Sequence, residues 1–378
     1  MFPFANQTFR LLTALALICI THSVHAQTYP DIYPKTECIS GNCATGKGTV
    51  RFKNGTRYEG QFVNYKRQGQ GSYYYLDSAV YTGQWVNGKR QGKGTIVLAN
   101  GTTYTGDWKN DSATGQGTFT YGGGDVYTGD VKDGMRHGTG TYTFASGATY
   151  TGDWIDNERT GKGTGIDSTG VKYVGDWKNS RREGFGIAYF GDTSTYEGEW
   201  AHDSLNGKGT YTHTDGWSYT GMWVDGHRHG EGTMHYIDTA VYSGTWYMNK
   251  RHGYGTCTYS SGSKYTGTWK NDSISGNGLC VYGDGSKYVG EWQSNQRHGD
   301  GVFTGNNGNV YDGEWLHDSI TGQGKCTYAD GNIYIGGWKN WEYHGDGTIY
   351  YKDGRMLKGY WENGVKMKKK KRKKKARS

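Results

Sequence analysis

Alternating aromatic and polar residues along the chain predict β-strands. In residues 140–144 two aromatic residues lie two positions apart with threonine between them, so rings and hydroxyls would project from opposite faces of a strand. Tyr150, Gly152 and Trp154 then continue the spacing of two. Between these stretches lies Ser146-Gly147, a dipeptide typical of a tight turn. The pattern therefore predicts antiparallel β-hairpins.

The hairpin pattern recurs every 23 residues. A Tyr-x-Gly-x-aromatic motif opens each unit, a Gly-x-Gly signature runs in step with it, and a turn dipeptide such as Asn54-Gly55 separates the two. All three prolines precede the first motif, as expected for an uninterrupted sheet whose interior strands need every amide donor. Each unit is predicted to be one hairpin with a six-residue return loop. The motifs begin at Tyr58, Tyr81, Tyr104, Tyr127, Tyr150, Tyr173, Tyr196, Tyr219, Tyr242, Tyr265, Tyr288, Tyr311, Tyr334 and, with Leu in place of Tyr, Leu357.

These motifs resemble the MORN (membrane occupation and recognition nexus) repeat family, whose consensus is Tyr-x-Gly-x-Trp followed by Gly-x-Gly. The resemblance covers residues 46–365. It implies an all-β fold, an elongated single-sheet β-hairpin solenoid of about fourteen 23-residue repeats. Its functional implication is broad, because such arrays occur in scaffolds, in membrane junction proteins and as appendages to kinases or methyltransferases.

The N-terminus has the pattern of a secretory signal. Arg10 precedes a ten-residue apolar run, Leu11 to Ile20, and small residues end the segment at Ala26. We expect cleavage near Ala26 and export to a periplasm, a cell surface or the medium. The chain then divides into a signal peptide at 1–26, a pre-array or cap segment at 27–45, the repeat array at 46–365 and a disordered polybasic tail at 366–378.

The cysteines fall into two groups. Cys38 and Cys43 are close together in the pre-array segment, and in an oxidising compartment they are candidates for a local disulfide. The other three follow the repeat, so their strands would be at least two apart, about 9.5 Å, which is too far for a disulfide. We therefore interpret Cys257, Cys280 and Cys326 as small core residues.

Composition shows where charge is concentrated. Gly 65, Tyr 33 and Trp 14 among 378 residues favour an aromatic core with few aliphatic residues. Ten of the 43 Lys and Arg residues lie in residues 366–378, so the net charge of +8 belongs to the tail and not to a groove.

The basic tail has three interpretations. It would attract anionic lipid or another polyanion; in a protein that is not exported it would be a nuclear localisation sequence; or it would only solvate and guard the open sheet edge after Trp361. With export, no nucleic acid partner is expected. The candidate contacts are Lys368, Lys369, Lys370, Lys371, Arg372, Lys373, Lys374 and Lys375.

A second candidate for anion binding is a row of Arg-His pairs in the return loops. Guanidinium groups and loop amides would together hold phosphate headgroups. The alternative is that these are ordinary loop residues of the family, solvated or paired with nearby Asp. Four loops carry Asp-Ser and interrupt the row, at Asp111, Asp203, Asp272 and Asp318. The predicted pairs are Arg136-His137, Arg228-His229, Arg251-His252 and Arg297-His298.

The aromatic face allows two interpretations. Stacked rings are platforms for sugars and lipid chains, but a thin sheet with few aliphatic residues needs the same rings as its core, and we favour the core. Aromatic residues outside the motif, such as Trp217, Tyr247 and Trp341, are better candidates for exposed contacts. An acidic ladder that includes Asp107 and Asp130 would be a solvated face balanced by lysines.

We find no nucleophile motif, no Walker loop and no compact metal signature, so the sequence predicts neither enzyme activity nor a cofactor. The hypothesis is an exported, non-catalytic scaffold for protein or membrane-surface interactions, whose tail associates with anionic lipid or an envelope polymer. The alternative is a carbohydrate- or lipid-binding module that uses the aromatic groove.

One unit departs from the pattern. Gly165 and Asp167 stand where the preceding unit has Tyr142 and Phe144. We predict a locally thin or bent sheet near residues 163–171.

Overall fold

The computed structural model describes residues 36–368. The predicted signal peptide, the first part of the pre-array segment and residues 369–378 lie outside the described residues. The described chain forms two compact units, residues 36–204 and 205–368. Every regular element in it is a β-strand. None of its elements is a helix long and apolar enough to cross a bilayer.

The first unit is an antiparallel sheet in which strands that follow each other along the chain are neighbours. Its strands are β1 (Thr36–Gly41), β2 (Gly46–Phe52), β3 (Arg57–Val63), β4 (Lys66–Tyr74), β5 (Val80–Val86), β6 (Lys89–Val97), β7 (Thr103–Lys109), β8 (Ser112–Thr120), β9 (Val126–Lys132), β10 (Met135–Thr143), β11 (Thr149–Ile155), β12 (Glu158–Ile166), β13 (Lys172–Lys178), β14 (Arg181–Tyr189) and β15 (Thr195–Ala201).

The second unit has the same sequential antiparallel pairing. Its strands are β16 (Ser204–Thr212), β17 (Ser218–Val224), β18 (His227–His235), β19 (Val241–Tyr247), β20 (Lys250–Thr258), β21 (Lys264–Lys270), β22 (Ser273–Val281), β23 (Lys287–Gln293), β24 (Gln296–Thr304), β25 (Val310–Leu316), β26 (Ser319–Thr327), β27 (Ile333–Lys339), β28 (Glu342–Tyr350), β29 (Met356–Glu362) and β30 (Val365–Lys366). The predicted all-β hairpin fold is confirmed.

The return loops are shorter than predicted. Two residues, not six, connect each long strand to its predecessor, as between β7 and β8, where Asn110 and Asp111 have φ of 49° and 69°. Positive φ at both positions is the geometry of a tight hairpin turn, and Asn, Asp and Gly adopt it at low cost. The strands therefore extend to the turn itself, and the Arg-His positions lie within strands.

The core of each unit is one layer of rings on one face of its sheet. The ring of Tyr104 lies flat over Gly106 and Gly117, whose missing side chains leave the space for it. Its hydroxyl donates to the Asp107 carbonyl at 3.0 Å. Trp108 stands edge-on to Tyr104 at 5.5 Å and to Tyr81 of the preceding repeat at 5.0 Å. Motif rings thus link each repeat to its neighbour.

The acidic ladder on the opposite face is part of the backbone architecture. The pairing of β7 with β8 shifts register between Gly106 and Trp108, and the Asp107 carboxylate accepts the freed Gln116 amide at 3.0 Å. Lys93 lies 2.7 Å from the same carboxylate and holds the pKa of Asp107 below its usual value. The predicted lysine partner is present. The Asp107 carboxylate also accepts a backbone amide that the register shift leaves without a partner in the ladder.

The irregular unit keeps its strand pairing. Gly165 faces Tyr150 on one side and Tyr173 on the other, in the same register as elsewhere. One repeat earlier Tyr142 and Phe144 pack at 4.6 Å, and no rings occupy these places at Gly165 and Asp167. A Cβ on Gly165 would lie 3.1 Å from the Trp177 ring, so the indole fills the space above the glycine. The ring layer is thinner here, while the ladder is uninterrupted.

Candidate functional site

The return-loop arginines connect adjacent repeats. The Arg90 guanidinium donates through Nη2 to the Asp111 carbonyl at 2.7 Å and lies 4.3 Å from the centre of the Trp108 ring. The Asp111 carboxylate accepts the Arg90 backbone amide at 2.8 Å. Arg90 is only 6% exposed. Its charge is therefore compensated by the next turn and by the indole face.

The four predicted arginines have this same arrangement. The Nη2 of Arg136 donates to the Asn157 carbonyl at 3.0 Å, and each of these arginines covers the motif tryptophan of the next repeat. Arg251 and Arg297 also pair with Asp272 and Asp318, at 3.2 and 3.0 Å. These arginines are therefore not a row of solvated cations. Anion contact at them stays a prediction.

Sequence reasoning offered pairing of these arginines with a nearby Asp as an alternative, but it did not identify which Asp. The Asp-Ser loops, interpreted as interruptions of the arginine row, supply the carboxylates that receive Arg90, Arg182, Arg251 and Arg297. An Arg followed 21 residues later by Asp is the signal that could have found the pair. The pair joins one hairpin to the next, so the alternation of residues within a single hairpin does not predict it.

The predicted histidines are half-buried beside these arginines. His229 and His252 flank the Tyr247 ring at 5.2 and 5.8 Å. His137 Nδ1 lies 3.4 Å from the Asp156 carboxylate. Within residues 36–368, the Nδ1 atoms of His229, His252 and His298 are enclosed and have no hydrogen-bond partner. These rings pack at the starts of the long strands, and a phosphate contact there stays a prediction.

The chain ends of the described region hold the other predicted groups. Cys38 and Cys43 form a disulfide with Cα atoms 6.0 Å apart, at a point where β1 and β2 shift register. At the other end, Lys368 is exposed after β30, and residues 369–375 lie outside the described residues. The open edge strands of the described array are therefore a bulged, cross-linked β1 and a two-residue β30.

The aromatic face is the core. Tyr58, Tyr81 and Tyr150 are fully buried, and burial raises the pKa of Tyr58 to about 12. The motif rings cannot act as an open groove, so the alternative of sugar or lipid stacking on them is wrong for these positions. Outside the motif, Tyr247 and Trp341 remain 54% and 47% exposed.

The opposite face carries a feature that the sequence patterns did not reveal. Five repeats there pair threonine hydroxyls across strands, as Thr95 and Thr105 do at 2.9 Å. On β13 and β14 this row instead has Val174 and Ile187, which pair with each other, and Phe185 on β14 is 50% exposed. A shallow groove lies over Gly175, and Val174 and Phe185 are among the residues that line it. Its lining also includes Thr151, Thr164 and Lys162, so it is partly polar.

Titratable groups do not assemble into a catalytic or metal site in the described chain. No cluster of three or more His, Cys, Asp or Glu residues within residues 36–368 is arranged to hold a metal ion. Cys257, Cys280 and Cys326 are buried thiols, and burial raises their pKa.

Comparison with protein families gives a match to the MORN repeat. Twelve stretches match, and the longest gap, residues 166–172, falls at the irregular unit. Tyr334 and Leu357 keep the interval and the strand pairing beyond the last match. The matched stretches are residues 58–79, 81–103, 104–126, 127–149, 150–165, 173–195, 196–218, 219–240, 242–264, 265–287, 288–310 and 311–333.

Known proteins add little beyond this match. A search of curated proteins finds no match. The wild-type TCP10 domain of Danio rerio CPAP is 13% identical, with a TM-score of 0.32 over 52% of this chain and 93% of that one. The TCP domain of Drosophila melanogaster SAS-4, in complex with a proline-rich motif of Ana2, is 15% identical, with a TM-score of 0.27 over 41% and 85%. These likenesses carry no argument. The match to the family model covers more than half of the chain, and the chain belongs to the MORN repeat family.

Proposed function

We propose that this protein is an exported, non-catalytic scaffold that associates with an anionic membrane or envelope polymer through its basic C-terminal tail. MORN repeats suit such a role because the array is a long series of similar units, each contributing surface but no assembled reactive site.

The observation that carries the proposal is how the array uses its own motif residues. The motif tyrosines and tryptophans are buried, and the loop arginines bind the following turn. Recognition therefore falls to side chains outside the motif. The largest concentration of these is the basic tail, which the exposed strand β30 precedes directly. Each basic residue near an anionic surface contributes about 1 kcal/mol, and the contribution fades with salt.

Export is supported by the N-terminal sequence. A basic residue, a ten-residue apolar run and the small residues before Gln27 form the pattern of a cleaved signal. The Cys38–Cys43 disulfide suits an oxidising compartment. Detection of the mature N-terminus by mass spectrometry, in the native host, checks this part of the proposal. A mature chain that still begins at Met1 contradicts it.

The tail is tested by vesicle sedimentation with the full chain. In the variant, all eight basic residues at 368–375 become Gln. We expect wild type to bind vesicles containing phosphatidylserine at low salt and to release them at high salt, and the variant to lose most of this binding. The matched control scrambles the order of residues 366–378 and keeps their charge. Equal binding by wild type and the Gln variant would remove the tail from the proposal.

A further inference from the structure

The groove on the face opposite the motif rings has a floor made of backbone. Gly163, Gly175 and Gly186 pair side by side across β12, β13 and β14, and a Cβ on any of them would run into Tyr150 or Tyr173 on the ring face. No side chain therefore rises from this floor on the groove side. Its volume of 380 Å³ lies at the small end of the range of about 300–1,000 Å³ that is usual for ligand pockets. We call it the outer groove, and its walls include Lys162, Thr164, Val174, Phe185 and Ile187.

The centre of the outer groove is apolar without a structural need for it. Val174 and Ile187 pair across β13 and β14, at places where the Thr95 and Thr105 hydroxyls bond to each other. Phe185 stands between two motif glycines, where all preceding repeats have polar side chains, and it is 50% exposed. The buried ring layer lies on the other face, so none of these three side chains belongs to it. Exposed apolar groups of this kind mark a binding surface.

Polar groups line one end of the outer groove. The Lys162 ammonium lies 2.6 Å from the Asp176 carboxylate, which cancels its charge, while the lysine side chain stays 74% exposed. An ammonium has three donors, so donors remain for a ligand. The second oxygen of Asp176 accepts the Phe185 amide at 3.0 Å and holds β14 beside the groove. Thr164 pairs with Val174, which offers its hydroxyl no hydrogen-bond partner.

Hydrogen-bond acceptors flank the other end. Glu197 pairs with Ile187 and Glu199 with Phe185, and both carboxylates are exposed on β15. From β12 to β15 the face thus presents donors, then an apolar centre, then acceptors. This sequence of groups extends over three strand spacings, about 14 Å.

A saccharide chain has the chemistry that matches this order of groups. Its hydroxyls both donate and accept hydrogen bonds, and the C–H faces of its rings pack on aromatic and aliphatic side chains. A purely apolar ligand would bury the polar ends without partners. A stable protein interface needs about 800 Å² on each partner, which is more than three half-exposed apolar side chains supply. A β-1,4-linked chain is extended, so successive rings can follow the line across the strands.

We propose that the outer groove binds a neutral β-1,4-linked oligosaccharide, with one sugar ring on Phe185 and its hydroxyls on Thr164 and Glu197. The site lies on the first unit and takes no group from the basic tail. The Gln-substituted tail should therefore leave saccharide binding unchanged, and failure of either proposal leaves the other standing.

The test is calorimetric titration of the full chain with the β-1,4-glucan hexasaccharide. Phe185→Ala removes the stacking platform and should weaken binding about tenfold. The matched control is Tyr254→Ala, because Tyr254 is 64% exposed between the motif glycines of another repeat but lies beside the bonded Thr256 and Thr266 pair. It should change affinity less than about twofold. Equal losses in the two variants would overturn the site.

A second variant protects the test against misfolding. Val174→Thr with Ile187→Thr recreates the threonine pair of other repeats, so the fold is retained while the apolar centre is lost. We expect binding to fall more than about tenfold. Thr164→Val keeps the shape and removes the hydroxyl, and should cost about threefold to tenfold. Undiminished binding by the double threonine variant would contradict the proposal.

Other occupants of the outer groove give distinct results. No heat of binding with the β-1,4-glucan hexasaccharide or its N-acetylglucosamine counterpart at millimolar concentration overturns the proposal. Binding of the cationic glucosamine hexasaccharide alone would show that the carboxylates act by charge and would overturn a neutral ligand. A dimer in sedimentation velocity that Phe185→Ala dissociates, without saccharide binding, would assign this face to a second copy of the chain instead.

Discussion

Replacing Arg90 by isoleucine tests the contact that links one repeat to the next. The change removes the guanidinium bond to the Asp111 carbonyl at 2.7 Å and the stacking on Trp108 at 4.3 Å. It also leaves the Asp111 carboxylate, 23% exposed, without its ion pair. The second unit shows a natural solution, because Ile274 occupies the same position and its amide donates to Asn295 at 2.7 Å.

The expected cost follows from these contacts. A hydrogen bond from a charged donor is worth about 1.5–3 kcal/mol, and the cation–π contact about 0.5–2 kcal/mol. Isoleucine recovers part of this by burying apolar surface, so we expect Arg90→Ile to destabilise the neighbouring repeats by about 2–3 kcal/mol. Adding Asp111→Asn recreates the Ile274 and Asn295 pair and should bring the loss to within about 1 kcal/mol of wild type.

Native-state hydrogen exchange on residues 80–120 is the suitable assay, because repeat arrays unfold in segments and a single global free energy is poorly defined. All four members of the cycle are compared: wild type, each single variant and the double variant. A double variant that is as unstable as Arg90→Ile alone would refute the pairing argument. So would an Arg90→Ile variant that loses less than about 0.5 kcal/mol.

Two further outcomes are expected from the packing. A cavity of about 30 Å³, lined by apolar groups that include Trp108 and Phe119, lies beside Ala113, where other repeats have arginine, isoleucine, leucine or tyrosine. Ala113→Val should raise stability by about 0.5–1 kcal/mol in hydrogen exchange; destabilisation would show that the site cannot take two methyl groups. Burial raises the pKa of Tyr58 and Tyr127 to about 12, above the ordinary 10.0. The folded state then binds these protons more tightly, so its stabilisation is complete below pH 10 and is lost as pH rises toward 12. Tryptophan fluorescence followed through alkaline pH checks this, and unfolding already complete at pH 9 contradicts it.

The repeat geometry was accessible from sequence because its causes are local. Alternation, the 23-residue interval and turn dipeptides such as Asn54-Gly55 are each local and sufficient to predict a hairpin. Burial of the motif rings followed from the shortage of aliphatic residues. The two-residue return turns were missed because Asn110 and Asp111 adopt positive φ and let both strands run on to the turn.

Interactions between repeats were less accessible. The Arg90 and Asp111 contact joins residues 21 positions apart, and only the fold shows that the Asp-Ser loop faces the preceding arginine.

The most direct measurement of the central claim is sedimentation of the mature full chain with vesicles of phosphatidylcholine alone or mixed with phosphatidylserine, each at low and high salt. The account predicts binding only to the phosphatidylserine vesicles, and release at high salt. Equal binding to both compositions, or no binding to either at low salt, would contradict a scaffold held at an anionic membrane.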